Sequence, residues 1–137
     1  MSDCPFCNFD YSISKHIWAY EHWNLFLHSD KKRAEIRQVA GLVASKEHVE
    51  KPEDASAEVW AELQRIISDA SERLCDAVGV TYTGQEAVGF NQGEMIGQTV
   101  KHAHVHIFPV AEEDPEELKG RAGMGAAFEA LRREKLN

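Results

Sequence analysis

Between Lys101 and Pro109 the chain reads Lys-His-Ala-His-Val-His-Ile-Phe-Pro, with imidazoles at every second position and small or branched apolar residues between them. A period of two belongs to a strand whose faces differ. In an extended segment His102, His104 and His106 share one face, while Ala103, Val105 and Ile107 enter a core on the other. Such a strand commits the chain to a sheet. One face of that sheet carries three side chains able to act as acid, base, nucleophile or metal ligand near neutral pH.

The rest of the sequence supplies the sheet and something to cover it. Runs of aromatic and branched residues at His16–Tyr20 and Trp23–His28, split by Glu21-His22, read as a hairpin. The stretch from Asp30 to Arg37 reads as a charged loop, and Gln38–Ser45 as a further strand. Extended segments at Glu86–Asn91 and Thr99–Val110 form a second hairpin-like pairing around the Gly-containing loop Gln92 to Gly97. Between these groups Trp60, Leu63, Ile67, Ala70, Leu74 and Ala77 recur at steps of three and four, which predicts an amphipathic helix from Ala55 to Val78. Pro52 and Asp54 mark its start and Gly79 its end. Asp114-Pro-Glu-Glu opens a C-terminal helix, and Leu131-Arg-Arg-Glu-Lys closes it with charges that suit the helix dipole. The expected class is α+β: an antiparallel sheet, one long central helix and a C-terminal helix, in one domain spanning 1–137.

Charge narrows the partners. Fifteen Lys and Arg against 23 Asp and Glu leave a net charge of −8, a field that repels a phosphate backbone, so nucleic acid is not an expected partner. There is no long apolar run and no basic-then-apolar leader, so no membrane partner is expected and the cytoplasm is the expected location. In that reducing setting Cys4 and Cys7, two residues apart, read better as metal ligands than as a disulfide, and Cys75 as a small core residue. Upstream of the triplet, Gly97-Gln98-Thr99 brings a hydroxyl and backbone N–H groups, and Asn91-Gln-Gly an amide beside a turn. Donors of this kind suit phosphate oxygens.

His102-Ala-His104-Val-His106-Ile-Phe is similar to the His-φ-His-φ-His-φ-φ signature of the histidine triad (HIT) family, and the run from Asn91 to Pro109 resembles that family's active-site segment. The Cys-x-x-Cys, the hairpin, the Gly-Leu-Val-Ala-Ser-Lys-Glu-His segment and the long helix extend the resemblance over most of the chain. It implies a HIT-like fold and attack on the α-phosphorus of a nucleoside monophosphate joined to an amine, nucleotide or sugar phosphate. It further implies His104 as nucleophile, forming a nucleotidyl-histidine, with His106 beside the phosphate moving a proton. Thr99, Asn91 and, more weakly, Gln98 would hold phosphate oxygens, and Ser29 or Asp30 would meet the ribose of a purine nucleotide. A structural zinc on Cys4, Cys7, His48 and His102, and a homodimer, follow from the same resemblance.

Three positions depart from the pattern: Ala40 where many relatives have histidine, Ser29 where many have Asp or Asn, and Val110 where many have arginine. Two other readings stay open. In one, all three triad histidines hold a catalytic zinc with an open water position; in the other, the pocket binds nucleotide with little catalysis.

Overall fold

The structure, a computed structural model, describes residues 4–8, 14–93, 95, 100–116 and 119. The strands are β1 (Ser14–Ala19), β2 (Trp23–His28), β3 (Gly41–Ser45), β4 (Tyr82–Gly89) and β5 (His104–Ala111). They form one sheet in the order β1-β2-β3-β5-β4, every neighbouring pair antiparallel. The helices are α1 (Pro5–Asn8), α2 (Asp30–Ile36) and α3 (Ala57–Val78), with a 3-10 turn at Pro52–Asp54.

The two sheet faces bury different things. Leu25, Leu27, Val43, Val105 and Ile107 point at α3 and close a core with its Val59, Leu63, Ile66, Ala70 and Leu74. Phe26, Leu42 and Ala44 point the other way and pack with Phe6 of α1. His106 lies opposite Leu42, which lies opposite Phe26, so the imidazoles share this second face. The predicted division into a histidine face and an apolar face holds for His104 and His106, whereas His102 lies before β5 and outside the register.

α3 is anchored to the first hairpin by polar groups as well. The Glu62 carboxylate, 7% exposed, accepts the backbone N–H groups of Glu21 and His22 at 3.0 and 2.7 Å. The Trp23 indole N–H donates to the Val59 carbonyl at 2.8 Å. A buried polar group needs hydrogen-bond partners, and here two backbone N–H groups converge on the carboxylate.

Several boundaries differ from those expected, each for a local reason. Residues 30–36 are a helix rather than a loop: Ser29 caps it by accepting the Lys32 N–H at 3.3 Å, Asp30 occupies its first turn and pairs with Arg33, and Arg37 ends it with φ 68°. α3 begins after Ser56, whose hydroxyl accepts from the Val59 N–H, because Pro52–Asp54 closes its own short turn first. Its buried stripe runs through Val59, Ile66 and Cys75, about one position away from Trp60, Ile67 and Ala77, of which the first two are partly buried and Ala77 is exposed. β3 starts at Gly41, β4 spans Tyr82–Gly89, and β5 starts only at His104. His102 precedes the ladder because Ala103 donates to the Val49 carbonyl and accepts from the Ser45 N–H, which turns the chain toward the segment after β3. The expected C-terminal helix lies outside the described residues apart from its first positions.

Gly41 shows how closely α3 approaches the sheet. A Cβ there would stand 2.5 Å from Leu74 Cδ2 and 2.5 Å from the Phe26 carbonyl oxygen. The leucine can rotate, but the carbonyl belongs to the β2–β3 ladder. Gly41→Ala is therefore expected to lower stability by about 1–3 kcal/mol through overpacking. Equilibrium urea unfolding measures this, and a change below about 0.5 kcal/mol would contradict the close approach.

Candidate functional site

His104 and His106 enter the site from the middle of the sheet, opposite Ala44 and Leu42 on β3. Both are buried, at 5% and 2% exposure, and His102 just before them is at 1%. Ordinary sheet geometry brings the first two together, with ring centroids 5.2 Å apart and planes 87° to each other. His104 Nδ1 lies 2.7 Å from the His102 carbonyl oxygen. A carbonyl only accepts, so Nδ1 carries the proton and Nε2 presents a lone pair when the ring is neutral. The tautomer with a free Nε2 is thus set by the backbone two residues upstream.

The His102 side chain faces a different group. Its Nε2–H donates to the Ser45 carbonyl at 2.6 Å, which leaves Nδ1 as the lone-pair atom. That atom sits 3.3 Å from Cys4 Sγ, 3.5 Å from Cys7 Sγ and 2.9 Å from His48 Nδ1, while Cys7 Sγ is 3.1 Å from His48 Nδ1. All four ligand atoms lie within 4.8 Å of one another. Two sulfurs and two imidazole nitrogens at such separations fit a tetrahedral zinc ion, and a ring N–H tied to a backbone carbonyl is the usual support of a ligating histidine. Burial pushes the His102 pKa down, against the Ser45 carbonyl and helped by His48, so the ring is held in its neutral, ligating form. Burial, then hydrogen bonding to and charge on Cys4, push the Cys7 thiol up. A divalent cation would relieve that repulsion between neighbouring thiolates.

Not every expected residue enters this geometry. Ser29 stands directly after β2, where its hydroxyl caps α2 by accepting from Lys32 and keeps its own proton to donate elsewhere. Asn91 is half-buried just beyond β4, and Gln98 and Thr99 lie outside the described residues. Gln92, next to Asn91, is tied to the turn before α3: its Oε1 accepts the Glu53 N–H at 2.7 Å and its Nε2–H donates to the Glu53 carboxylate at 3.0 Å. His16 bonds Asn24 at 3.0 Å, and His22 lies 3.7 Å from the Glu21 carboxylate; neither is part of the cluster. Cys75 is buried in the core as expected, and its thiol is pushed up to about 11, chiefly by burial, which leaves it inert near neutral pH. A cleft of about 400 Å³ beside α2, lined by Arg33, Gln38, Val39, Val78 and Asp114 among others, contains none of the triad residues.

Two further residues stand at the site, Phe6, which the sequence did not point to, and His28, which the resemblance placed beside the nucleoside pocket without a role. Phe6, the spacer between the paired cysteines, is 4% exposed, with its ring 5.2 Å from His104 and 5.8 Å from His102. His28 is 3% exposed and its ring lies 5.7 Å from His106. The parity of β2 contained a signal for the second: Trp23, Leu25 and Leu27 face α3, so Phe26 and His28 must face the triad. For Phe6 the sequence held no comparable signal, because a four-residue helix outside the sheet has no register.

The HIT domain family model matches residues 21–113. Among solved structures, a protein from Streptococcus mutans superposes with a TM-score of 0.59 at 27% identity, covering 98% of this chain and 86% of its own. A hypothetical histidine triad nucleotide-binding protein from Sulfolobus tokodaii does so at 0.60 and 24% identity, covering 100% and 93%. A HIT family hydrolase from Clostridium thermocellum gives 0.58 and 21% identity, covering 85% and 97%. No curated protein matches the chain.

Proposed function

This chain belongs to the HIT family, and on that premise we propose that it is a nucleotide hydrolase whose nucleophile is His104. Its substrate is a purine nucleoside monophosphate joined through its α-phosphate to an amine or to a further phosphate, as in a nucleoside phosphoramidate or a dinucleoside polyphosphate. One observation carries the reading: the His102 carbonyl holds the proton on His104 Nδ1, leaving Nε2 as a buried lone pair.

The steps balance with this chain's own groups. Nε2 of His104 bonds to the α-phosphorus, and the bond from phosphorus to the leaving nitrogen or oxygen breaks with its electron pair on the leaving group. The leaving group takes a proton carried by His106, whose ring stands beside that of His104. Water then attacks phosphorus, the P–Nε2 electron pair returns to His104, and the water's proton restores His106. Asn91, Thr99 and Gln98 donate to phosphate oxygens, and Ser29 meets the ribose.

Zinc on Cys4, Cys7, His48 and His102 would act as a cross-link between the N-terminal segment and the entrance to β5, with no part in the chemical steps. A catalytic zinc on all three triad histidines is disfavoured by the ring orientations: His102 has one nitrogen on the Ser45 carbonyl and the other turned to the cysteines. The full proposal is one HIT domain over 1–137, cytoplasmic, acting as a homodimer. β4 is an edge strand, with Val88 and, just beyond it, Phe90 exposed, and sedimentation showing only monomer would remove the dimer. No helix among the described residues is long and apolar enough to cross a membrane.

The test is turnover of adenosine 5′-phosphoramidate and of a diadenosine polyphosphate by the purified protein. Release of adenosine monophosphate from at least one of them is the expected result. Nucleotide binding without turnover of either would replace the hydrolase with a binding module.

A further inference from the structure

His106 is enclosed by rings. His104 stands edge-on to it, Phe108 lies at 6.1 Å with planes 15° apart, and His28 lies at 5.7 Å with planes 30° apart. Two of these neighbours belong to the same strand, but His28 comes from β2, on the far side of β3. We propose that His28 is a fourth histidine of this site, a positioning residue that sets the orientation and protonated nitrogen of His106. The proposal rests on the reading of His106 as the group that carries the leaving-group proton.

His28 is also tied to the residue that precedes β3. The His28 N–H donates to the Ala40 carbonyl at 3.1 Å, so the two residues are neighbours, and Ala40 packs with Phe108 on the triad side of the sheet with no exposed surface. Ala40 lies directly before β3 and its side chain is only a methyl group, while Leu42 follows on the same face, opposite His106.

The His28 backbone is fixed on both sides. Its N–H is bonded as described, its carbonyl accepts from Arg33 Nε at 3.1 Å, and the next residue caps α2. A ring carried by so constrained a peptide has few rotamers to choose from. Packing alone does not call for an imidazole here, since burying a polar ring costs more than burying leucine or phenylalanine of similar size. An imidazole facing a second imidazole does have a use: it favours one of the partner's two nitrogens as the proton-bearing one and disfavours a second charge beside it.

The test compares wild type with His28→Phe, which keeps a ring and removes the nitrogens, and with His28→Gln in case the first variant does not fold. Two experiments are read: steady-state kinetics, giving kcat and KM for adenosine 5′-phosphoramidate, and NMR, giving the side-chain 15N shifts of His106. The expected result is a kcat lower by about tenfold or more with KM within about twofold. The His106 nitrogen shifts are expected to move toward the other tautomer. Unchanged His106 shifts overturn the proposal whatever the kinetics, and so does a kcat within about twofold of wild type. If wild type itself shows no turnover, the hydrolase reading fails by that result alone, and the His106 shifts still decide whether His28 positions the ring.

Discussion

Replacing His104 with asparagine is expected to reduce hydrolysis of adenosine 5′-phosphoramidate by at least about 10³-fold, with nucleotide affinity changed by less than about tenfold. Asparagine is smaller than histidine but places an amide N–H near the position of Nδ1, so it can still donate to the His102 carbonyl that now receives the His104 Nδ1–H. The fold should therefore survive, since the residue sits in a ladder position opposite Ala44 and its backbone pairing is unaffected. What disappears is the lone pair at Nε2. An amide nitrogen, delocalised into its carbonyl, does not attack phosphorus. Steady-state kinetics measures the loss, and a variant retaining a tenth or more of the activity would mean that another group attacks.

Removing the metal should have the second-largest effect, and it should appear in stability before chemistry. Cys4 and Cys7 are separated from His102 by 98 and 95 positions along the chain. Closing a loop of that length restrains the unfolded chain by about 4–5 kcal/mol in the entropy treatment used for cross-links. For a chain of this size that corresponds to a Tm lower by about 10 °C or more after chelation, restored by added zinc. The linkage has a pH sign: the thiols must lose protons to bind, the Cys7 thiol is pushed up, and so zinc affinity should weaken as pH falls. Protein purified without chelator should hold close to one zinc per chain. Less than about half an equivalent, or a Tm that chelation leaves within about 2 °C, would contradict the site. Chelation should also leave partial activity, because His104 is oriented by a carbonyl and not by the metal.

The parts of this fold that were legible are those where periodicity meets burial. Alternation from His102 to Ile107 assigned both faces of β5, since a slip of one residue would have turned Val105 and Ile107 away from α3 and put the imidazoles in the core. The long spacing pattern gave α3, and Gly79, with φ 77°, ended it where expected. α2 was illegible for a physical reason: seven residues with only Ile36 buried leave no apolar stripe, and the helix is held by the Ser29 cap and the Asp30–Arg33 pair. The α3 stripe was offset because Trp60 is large enough to remain partly exposed while Val59 fills the core.

At the site, the triad and the Cys4, Cys7, His48 and His102 set were visible in motif spacing read against a family pattern. The contacts that join them were not. That His102 orients His104 through its carbonyl while turning its ring to the cysteines requires the chain to leave the ladder before His104, a bend imposed by the Ser45 and Val49 hydrogen bonds. The face of His28 was legible from the parity of β2, but its 5.7 Å approach to the His106 ring was not, because the two residues come from strands that are not neighbours in the sheet.

The measurement that bears most directly on the central claim is mass spectrometry of the protein quenched during turnover of adenosine 5′-phosphoramidate. The account predicts a chain heavier by one adenylyl group, labile to acid, with the added mass on the peptide containing His104 and absent from His104→Asn. Turnover with no adduct on rapid quenching, or an adduct on any other residue, would contradict it.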